Sequence, residues 1–311
     1  MRRQSMSALD DSAASRASQS ATPSGGSATW PEQLAAPAQL WDVPSDDSGA
    51  LWVSIDTATR LGGVALWRNG QVLAERTWHG GLNHTAQVAP ALINLLDAVG
   101  LRQDTDTGLL PDSSDAPLAG VVASTGPGSF TGLRVGLAFA KALAVARSVA
   151  LVGVPSLDAL AYQLSAVVGV RRGTEVCAVS DAGRGNLYAA RYRMRGRDLW
   201  RVSRHAVLSP DELVAQLDAA GERMLVGGEL PLSTARGLTE DSAKRITVAP
   251  PAASLRRPGY LVALGRERAA AAVDPAVLEP LYVRRSSPEA GRLDFVPPPR
   301  RRSVAGARKR T

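Results

Sequence analysis

Two aspartates follow apolar segments that predict buried strands, and carboxylates in that position could do chemistry. Asp56 comes after Leu51–Ile55, and Asp181 comes after the strand predicted from Glu175. Actin-like kinases place carboxylates at strand ends for metal and phosphate chemistry, which predicts a nucleotide site in a cleft between two domains. The candidate residues for that site are Asp56, Thr57, Gly227 and Gly228. Alternatively, both aspartates accept hydrogen bonds from the backbone of their own turns.

The histidines and the single cysteine do not form a catalytic or metal-binding set. His79 and His84 are five positions apart, so they would diverge on a helix, and the glycines between them oppose helix formation. His205 stands alone in the second half. Cys177 lies in an apolar strand, which favours a buried and inert thiol. We therefore predict no catalytic residue and no metal site.

A glycine-rich segment, Ser124–Gly136, joins a predicted strand to a long predicted helix. Ser129 or Thr131 could cap the free N–H groups of the first helical turn. Such a helix N-terminus suits an anion, so the segment is either a tight helix start or a phosphate site. It is not a Walker A loop, because no Gly-Lys-Ser/Thr follows at the required spacing.

The long helix carries small residues four positions apart on one stripe: Gly132, Gly136, Ala140 and Ala144. A stripe of small side chains lets another backbone approach closely. The stripe could face a partner protein, or it could pack against the chain's own sheet. The spacing does not distinguish these alternatives.

Each half of the chain shows a strand, an aspartate, a turn, further strands and then helices. Asn69-Gly70 between two apolar runs predicts a hairpin. The second half adds a predicted strand over 198–207 and a helix over 258–272. This duplicated α/β pattern, with mixed sheets flanked by helices, is typical of the two-domain actin-like (ASKHA, ribonuclease H-like) fold. The predicted domains are 49–154 and 155–284.

Composition and charge predict a globular protein of the cytosol. The chain of 311 residues has 45% hydrophobic residues and no apolar run long enough to span a bilayer. The net charge of +7 arises in the C-terminal tail, because residues 284–311 carry nine Lys or Arg and two acidic residues. The tail could contact phosphate backbones, or it could be a solvated end. Residues 1–48 and 285–311 are predicted to be disordered, and residues 102–117 form a polar loop.

The sequence also resembles a known family, the TsaB (YeaZ) family. The most specific element is Gly126-Pro127-Gly128-Ser129-Phe130-Thr131-Gly132. Five further stretches are similar to that family's pattern: Ile55–Thr59, His84-Thr85 with Pro90, Ile93 and Leu95-Leu96, Val154–Ala161, Asp181–Tyr188 and Glu279–Arg284. Gly183 and Asn186 depart from it, since the family usually has Arg and Glu there. The resemblance covers residues 51–285.

This resemblance implies an actin-like fold and a role in making threonylcarbamoyladenosine beside the anticodon of tRNAs that read ANN codons. It implies a non-catalytic subunit that pairs with a catalytic paralogue, TsaD, and an ATPase, TsaE. ATP or ADP would then act at the level of the complex, tRNA would be contacted indirectly, and the free chain could form a homodimer. A free-standing nucleotide-dependent phosphotransferase is the alternative.

In that family two N-terminal helices form the interface, which here correspond to His84–Val99 and Phe130–Arg147. The candidate interface residues are His84, Val88, Leu92, Leu95, Gly132, Leu133, Gly136, Ala140 and Ala144.

Overall fold

The computed structural model describes residues 49–81, 83–101, 117–170, 173–195, 198–241, 245–283 and 291–293. The predicted disordered segment 1–48 lies outside these residues, as do most of the loop 102–117 and of the tail from 285. Residues 291–293 lie within the predicted tail. Leu293 is 4% exposed in a hydrophobic core, and its N–H donates to Gln216 Oε1 at 2.8 Å. An apolar side chain thus anchors this point of the tail.

The first sheet has the strand order β3-β2-β1-β4-β5. The strands are β1 Leu51–Asp56, β2 Leu61–Arg68, β3 Gln71–His79, β4 Leu118–Gly126 and β5 Ala150–Pro155. β1, β2 and β3 are antiparallel, whereas β4 and β5 run parallel to β1. The predicted hairpin turn joins β2 and β3, with φ of 52° at Asn69 and 76° at Gly70.

The second sheet has the order β11-β10-β6-β7-β8, with β9 paired to β7. The strands are β6 Glu175–Gly183, β7 Asn186–Arg195, β8 Asp198–Arg201, β9 Ala206–Leu208, β10 Met224–Gly228 and β11 Ile246–Val248. β6 and β7 form an antiparallel hairpin, and β10 runs parallel to β6. The single strand predicted over 198–207 is wrong. The chain breaks it into β8 and β9, each of which pairs with β7.

Helices cover both sheets in layers. The helices are α1 His84–Ala98, α2 Phe130–Arg147, α3 Ser156–Val168, α4 Pro210–Ala219, α5 Leu232–Asp241, α6 Pro251–Ser254 and α7 Pro258–Glu267. α1 and α2 share one hydrophobic core with the first sheet, and α3 and α7 pack on its other face. α4 and α5 pack on the second sheet. The helix predicted over 258–272 ends at Glu267 and continues as a short 3-10 turn.

α3 lies between the two sheets and is therefore buried almost all round. Ala159 and Tyr162 pack with the first sheet, whereas Leu157 and Leu160 pack with the second. Both sheets combine an antiparallel hairpin with parallel strands. The predicted α/β fold with mixed sheets flanked by helices is thereby confirmed. The domain boundary between residues 154 and 155, which falls just before α3, stays a prediction.

Candidate functional site

The turn after β1 is closed by a buried ion pair. Arg256, which precedes α7, donates to Asp56 Oδ2 from Nη2 at 2.5 Å and from Nε at 3.1 Å. The Ala58 N–H donates to Asp56 Oδ1 at 3.1 Å. Both charged side chains are less than a tenth exposed. The Asp56 carboxylate is thus neutralised by residues of its own chain, in agreement with the structural alternative for this aspartate.

Thr57 fixes α2 against the same turn. Its hydroxyl donates to the Gly132 carbonyl at 2.7 Å. A Cβ on Gly132 would lie 2.2 Å from the Thr57 carbonyl oxygen, and one on Gly136 would lie 2.1 Å from Thr57 Oγ1. Atoms cannot approach so closely, so both positions require glycine. The small-residue stripe therefore faces the chain's own first sheet.

The candidate interface residues lie in the interior of the fold. All nine are buried: His84, Val88, Leu92, Leu95, Gly132, Leu133, Gly136, Ala140 and Ala144. The His84 ring is 2% exposed, and its Nε2 lies 2.8 Å from the Thr59 carbonyl oxygen. Amphipathic spacing identifies the buried face of a helix, which here packs on the chain's own sheet. A contact of these nine residues with a partner stays a prediction.

The opposite side of the same two helices carries exposed apolar side chains. We define it as the outer face, and its residues are Ala86, Ala89, Pro90 and Ile93 of α1 with Ala138, Ala142 and Val145 of α2. Ala86, Pro90, Ala138 and Ala142 are exposed, whereas Ala89 and Ile93 are half-buried. Val145 is 64% exposed. These seven side chains carry no charge, although Asp97 of α1 and Arg134 and Lys141 of α2 lie on the same sides of their helices.

Gly227 and Gly228, which were predicted to hold a nucleotide, lie where the chain packs closely on itself. A Cβ on Gly227 would lie 2.6 Å from the Leu164 side chain. Gly228 has φ of 120°, and a Cβ there would lie 1.9 Å from the Val179 carbonyl oxygen. Close packing against α3 and β6 thus explains both residues. Asp56 and Thr57 are buried as well. Packing within the chain thus accounts for all four residues, and their binding of a nucleotide stays a prediction.

Asp181, in contrast, faces a cleft of about 670 Å³. Its Oδ1 accepts a hydrogen bond from the Gly183 N–H at 2.7 Å, as the structural alternative predicts. The Glu229 carboxylate accepts from the Asp181 N–H at 2.9 Å. Arg60 Nε lies 4.0 Å from Asp181 Oδ2, and both side chains are well exposed. The tip of the β6–β7 hairpin and the turn after β1 thus meet across this cleft.

Phe130, Arg134 and Tyr282 lie together at the rim of this cleft, and their proximity was not predicted from the sequence. The Arg134 guanidinium carbon lies 3.8 Å from the centre of the Phe130 ring, and Arg134 Nε donates to the Tyr282 hydroxyl at 3.2 Å. The Phe130 and Tyr282 ring centres are 5.3 Å apart. Phe130 and Tyr282 lie in stretches that carry the family resemblance. Their proximity has no local signal, because 148 positions separate Arg134 from Tyr282.

A second buried carboxylate, Asp158 of α3, is surrounded by cations. Tyr192 donates to its Oδ1 at 2.8 Å, and the Arg201 and Arg268 guanidinium groups lie at 3.2 and 3.3 Å. Burial alone would raise the pKa of Asp158, but Arg201, His205 and Arg268 outweigh it and hold this pKa well below its usual range. Burial, helped by the charge of Arg201, lowers the pKa of His205 to about 4.

The remaining candidates for chemistry are embedded in the core. Burial raises the pKa of the Cys177 thiol to about 12, so this thiol stays protonated at neutral pH. Across the described residues, His, Cys, Asp and Glu side chains do not come together in groups of three that could hold a metal ion. Within the same ranges, the helices are too short or too polar to cross a membrane.

Comparisons with known proteins point to one family. Residues 83–244 match the family model described as TsaD: tRNA N6-adenosine threonylcarbamoyltransferase. The tRNA threonylcarbamoyladenosine biosynthesis protein TsaB of Escherichia coli is 32% identical over 56% of this chain and 70% of its own length. The Bacillus subtilis protein of the same name is 29% identical, over 76% of this chain and 96% of its own length.

Solved structures agree on the fold. YeaZ from Pseudomonas aeruginosa aligns with 75% of this chain and 99% of its own, with a TM-score of 0.58 and 22% identity. A second Pseudomonas aeruginosa structure, described as an uncharacterized protein with similarity to peptidase YEAZ, aligns with a TM-score of 0.57.

Proposed function

We infer that this chain, which belongs to the TsaB (YeaZ) family of tRNA threonylcarbamoyladenosine biosynthesis proteins, is a non-catalytic subunit of the complex that makes this modification. Its likeness to the Bacillus subtilis TsaB protein over 96% of that protein's length carries the inference. The catalytic step would belong to a TsaD-like paralogue, and ATP hydrolysis to a TsaE-like ATPase. Since the substrate is tRNA, we expect the chain in the cytosol.

The state of the polar residues supports a non-catalytic role. Asp56 is occupied by Arg256, and the His84 ring is occupied by the Thr59 carbonyl. His205 lies 3.8 Å from Asp158 in a buried charge cluster. A nucleophile, a general base or a metal ligand needs access to a substrate, and these groups are packed against protein atoms instead. The same occupation of Asp56 disfavours the alternative of a free-standing phosphotransferase.

We propose that the TsaD-like paralogue docks on the outer face of α1 and α2. Small side chains such as Ala138 and Ala142 would let the helices of a partner approach closely. Val145 adds an exposed apolar side chain, and exposed apolar patches of this kind mark protein interfaces. The buried stripe beneath the outer face holds α2 rigidly on the sheet, which lowers the ordering cost of docking.

A homodimer of the free chain would use the same outer face. Docking of the paralogue and self-association would then exclude each other. The proposal predicts that adding the paralogue converts the dimer to a mixed complex. A stable mixed complex that still contains the homodimer through this face would contradict it.

Reconstitution with single omissions tests the proposed role. The purified chain, its TsaD-like and TsaE-like counterparts, ATP, threonylcarbamoyl-adenylate and an ANN-reading tRNA are combined, and modified adenosine is quantified by mass spectrometry. We expect loss of multiple-turnover modification when this chain is omitted, and no modification by this chain alone. Full activity without the chain, or modification by the chain alone, would contradict the proposal.

A further inference from the structure

A second pocket lies at the end of the second sheet where β6 and β10 begin. Its volume is about 260 Å³, and it is formed by the end of α3, the residue before β6 and the first residues of β10 and β11. The cleft beside Asp181 lies near the other end of β6, about 20 Å away at the ordinary rise of a strand. No residue of the outer face lines the pocket. The pocket is therefore separate from the cleft and from the proposed docking surface.

Two arginines and two threonines give this pocket a polar lining that suits a phosphate group. Arg223 and Arg245 line it together with Thr174 and Thr247. Arg223 is exposed and the Arg245 side chain is 34% exposed, so a ligand can reach both guanidinium groups from solvent. Arginine and threonine side chains are among the donors that bind the phosphates of nucleic acid backbones. The pocket thus offers the groups that hold a backbone phosphate in place.

The carboxylates beside the pocket are already paired, which leaves positive charge in excess. Glu222 accepts a hydrogen bond from Arg193 at 3.1 Å, and Asp218 accepts one from Arg245 at 2.8 Å. Within the described ranges, Arg223 has no carboxylate partner. The carbonyl end of α3 also lines the pocket, but it carries only about half an elementary charge, which is less than the charge of one guanidinium. An anion is therefore favoured here.

The basic C-terminal tail is anchored at the same end of the second sheet. Leu293 donates its N–H to Gln216 Oε1 at 2.8 Å, and its carbonyl accepts from Arg191 Nη1 at 3.2 Å. Arg191 in turn pairs with Glu175, the first residue of β6. Residues 294–311 carry six Lys or Arg and one acidic residue. These contacts fix the point at which a strongly basic segment begins.

We propose that this end of the second sheet binds the phosphate backbone of RNA. Arg223 and Arg245 hold one phosphate in the pocket, and the tail, which begins at the same end, supplies further cations. The inference rests on the proposed function, because that function makes tRNA the substrate of the complex. It differs from the sequence-based expectation that tRNA is contacted only indirectly. A small anion would use the two arginines alone, whereas an RNA backbone presents a row of phosphates to both the pocket and the tail.

Fluorescence anisotropy of a labelled ANN-reading tRNA, titrated with the full chain at several salt concentrations, tests the proposal. Arg223→Gln and Arg245→Gln should each weaken binding roughly fivefold at low salt and reduce the slope of log affinity against log salt by about one. Arg236→Gln is the matched control, because it removes an exposed arginine of α5 that does not line the pocket. Melting curves check that each variant is folded.

A further variant separates the pocket from the tail by replacing the six basic tail residues with Gln: Arg300, Arg301, Arg302, Arg308, Lys309 and Arg310. We expect it to bind more weakly but to remain sensitive to Arg223→Gln. Loss of all RNA binding with the tail would overturn the proposal, as would pocket variants that bind like Arg236→Gln. Displacement of the RNA by millimolar inorganic phosphate at constant ionic strength would also overturn it, because the pocket would then be a small-anion site.

The proposed function is tested separately from this site. The titration uses the chain without its TsaD-like paralogue, so its outcome does not depend on docking. Arg223→Gln should form the mixed complex with the paralogue like the parent chain, because the pocket lies outside the outer face. Failure of docking with intact RNA binding would count against the proposed function alone, and the reverse result would count against this site alone.

Discussion

The turns that follow β1 and β6 start with the same residue type and differ in what surrounds it. Asp56 is 6% exposed and paired with Arg256, which lies 200 positions away in the sequence. Asp181 is exposed at the cleft and pairs only loosely with Arg60. One aspartate therefore ties distant segments together, whereas the other is left for solvent or a ligand. The role of the aspartate in this repeated local motif is thus decided by its tertiary contacts.

Breaking the Asp56–Arg256 pair should have the largest effect. Arg256→Met leaves the Asp56 carboxylate buried without its partner, which is expected to lower the free energy of unfolding by roughly 3–5 kcal/mol. Urea denaturation followed by circular dichroism measures the change. The double variant Asp56→Asn/Arg256→Met should recover much of the loss. Additive losses in the double variant would show that the two groups do not act as a pair.

Acid should lower the free energy of unfolding through the buried cluster around Asp158. The pKa of His205 is lowered from 6.5 to about 4, so the unfolded chain takes up this proton first. The contribution of neutral His205 to the free energy of unfolding is fully present above pH 6.5 and is lost as the pH falls towards 4. Between pH 7 and 4.5 this amounts to about 2 kcal/mol of unfolding free energy. His205→Gln should remove that share of the pH dependence, and an unchanged pH profile would refute it.

Adding a methyl group on α2 where it contacts the Asp56–Thr57 turn should have a smaller effect on the free energy of unfolding. Gly136→Ala places a methyl group against Thr57 Oγ1, and the cost of overpacking exceeds the gain in helix propensity. We expect a net loss of about 1–2 kcal/mol in unfolding free energy. Adding Thr57→Ala should relieve the contact and restore part of the loss. A Gly136→Ala protein more stable than the parent would show that the stripe does not face this turn.

The smallest effect is expected at Asp181. Asp181→Asn removes an exposed charge whose pairing with Arg60 is weak, so the free energy of unfolding should change by less than about 0.5 kcal/mol. The same urea experiment applies. A loss comparable to that of Arg256→Met would remove the distinction between the two turns.

Local sequence features predicted the strands, turns and helices, but not what each side chain packs against. The strand before Asp56, the Asn69-Gly70 turn and the long helix after Ser129 follow from alternation, turn chemistry and capping. The stripe at Gly132 and Gly136 was equally compatible with a partner or with the chain's own sheet. The close approach of Thr57, 75 positions away from Gly132, decides between them and has no local signal.

The contacts at the cleft also could not be predicted from local sequence features. Phe130 and Tyr282 stand in stretches that the family resemblance marks, yet only the folded chain brings their rings to 5.3 Å. Leu293 was assigned to a disordered tail because Pro and Arg dominate its surroundings. Its single apolar side chain nevertheless fills a place in the core of the second sheet.

The affinity for the TsaD-like paralogue tests the central claim most directly. Ala138→Arg places a charged side chain on the outer face of α2, and Ala215→Arg makes the same change at an exposed position of α4. Sedimentation velocity of each variant mixed with the paralogue measures complex formation. We predict that Ala138→Arg weakens the complex at least about a hundredfold, the loss typical of a residue at the centre of an interface, while Ala215→Arg binds like the parent. Equal affinities for the two folded variants would contradict docking through the outer face.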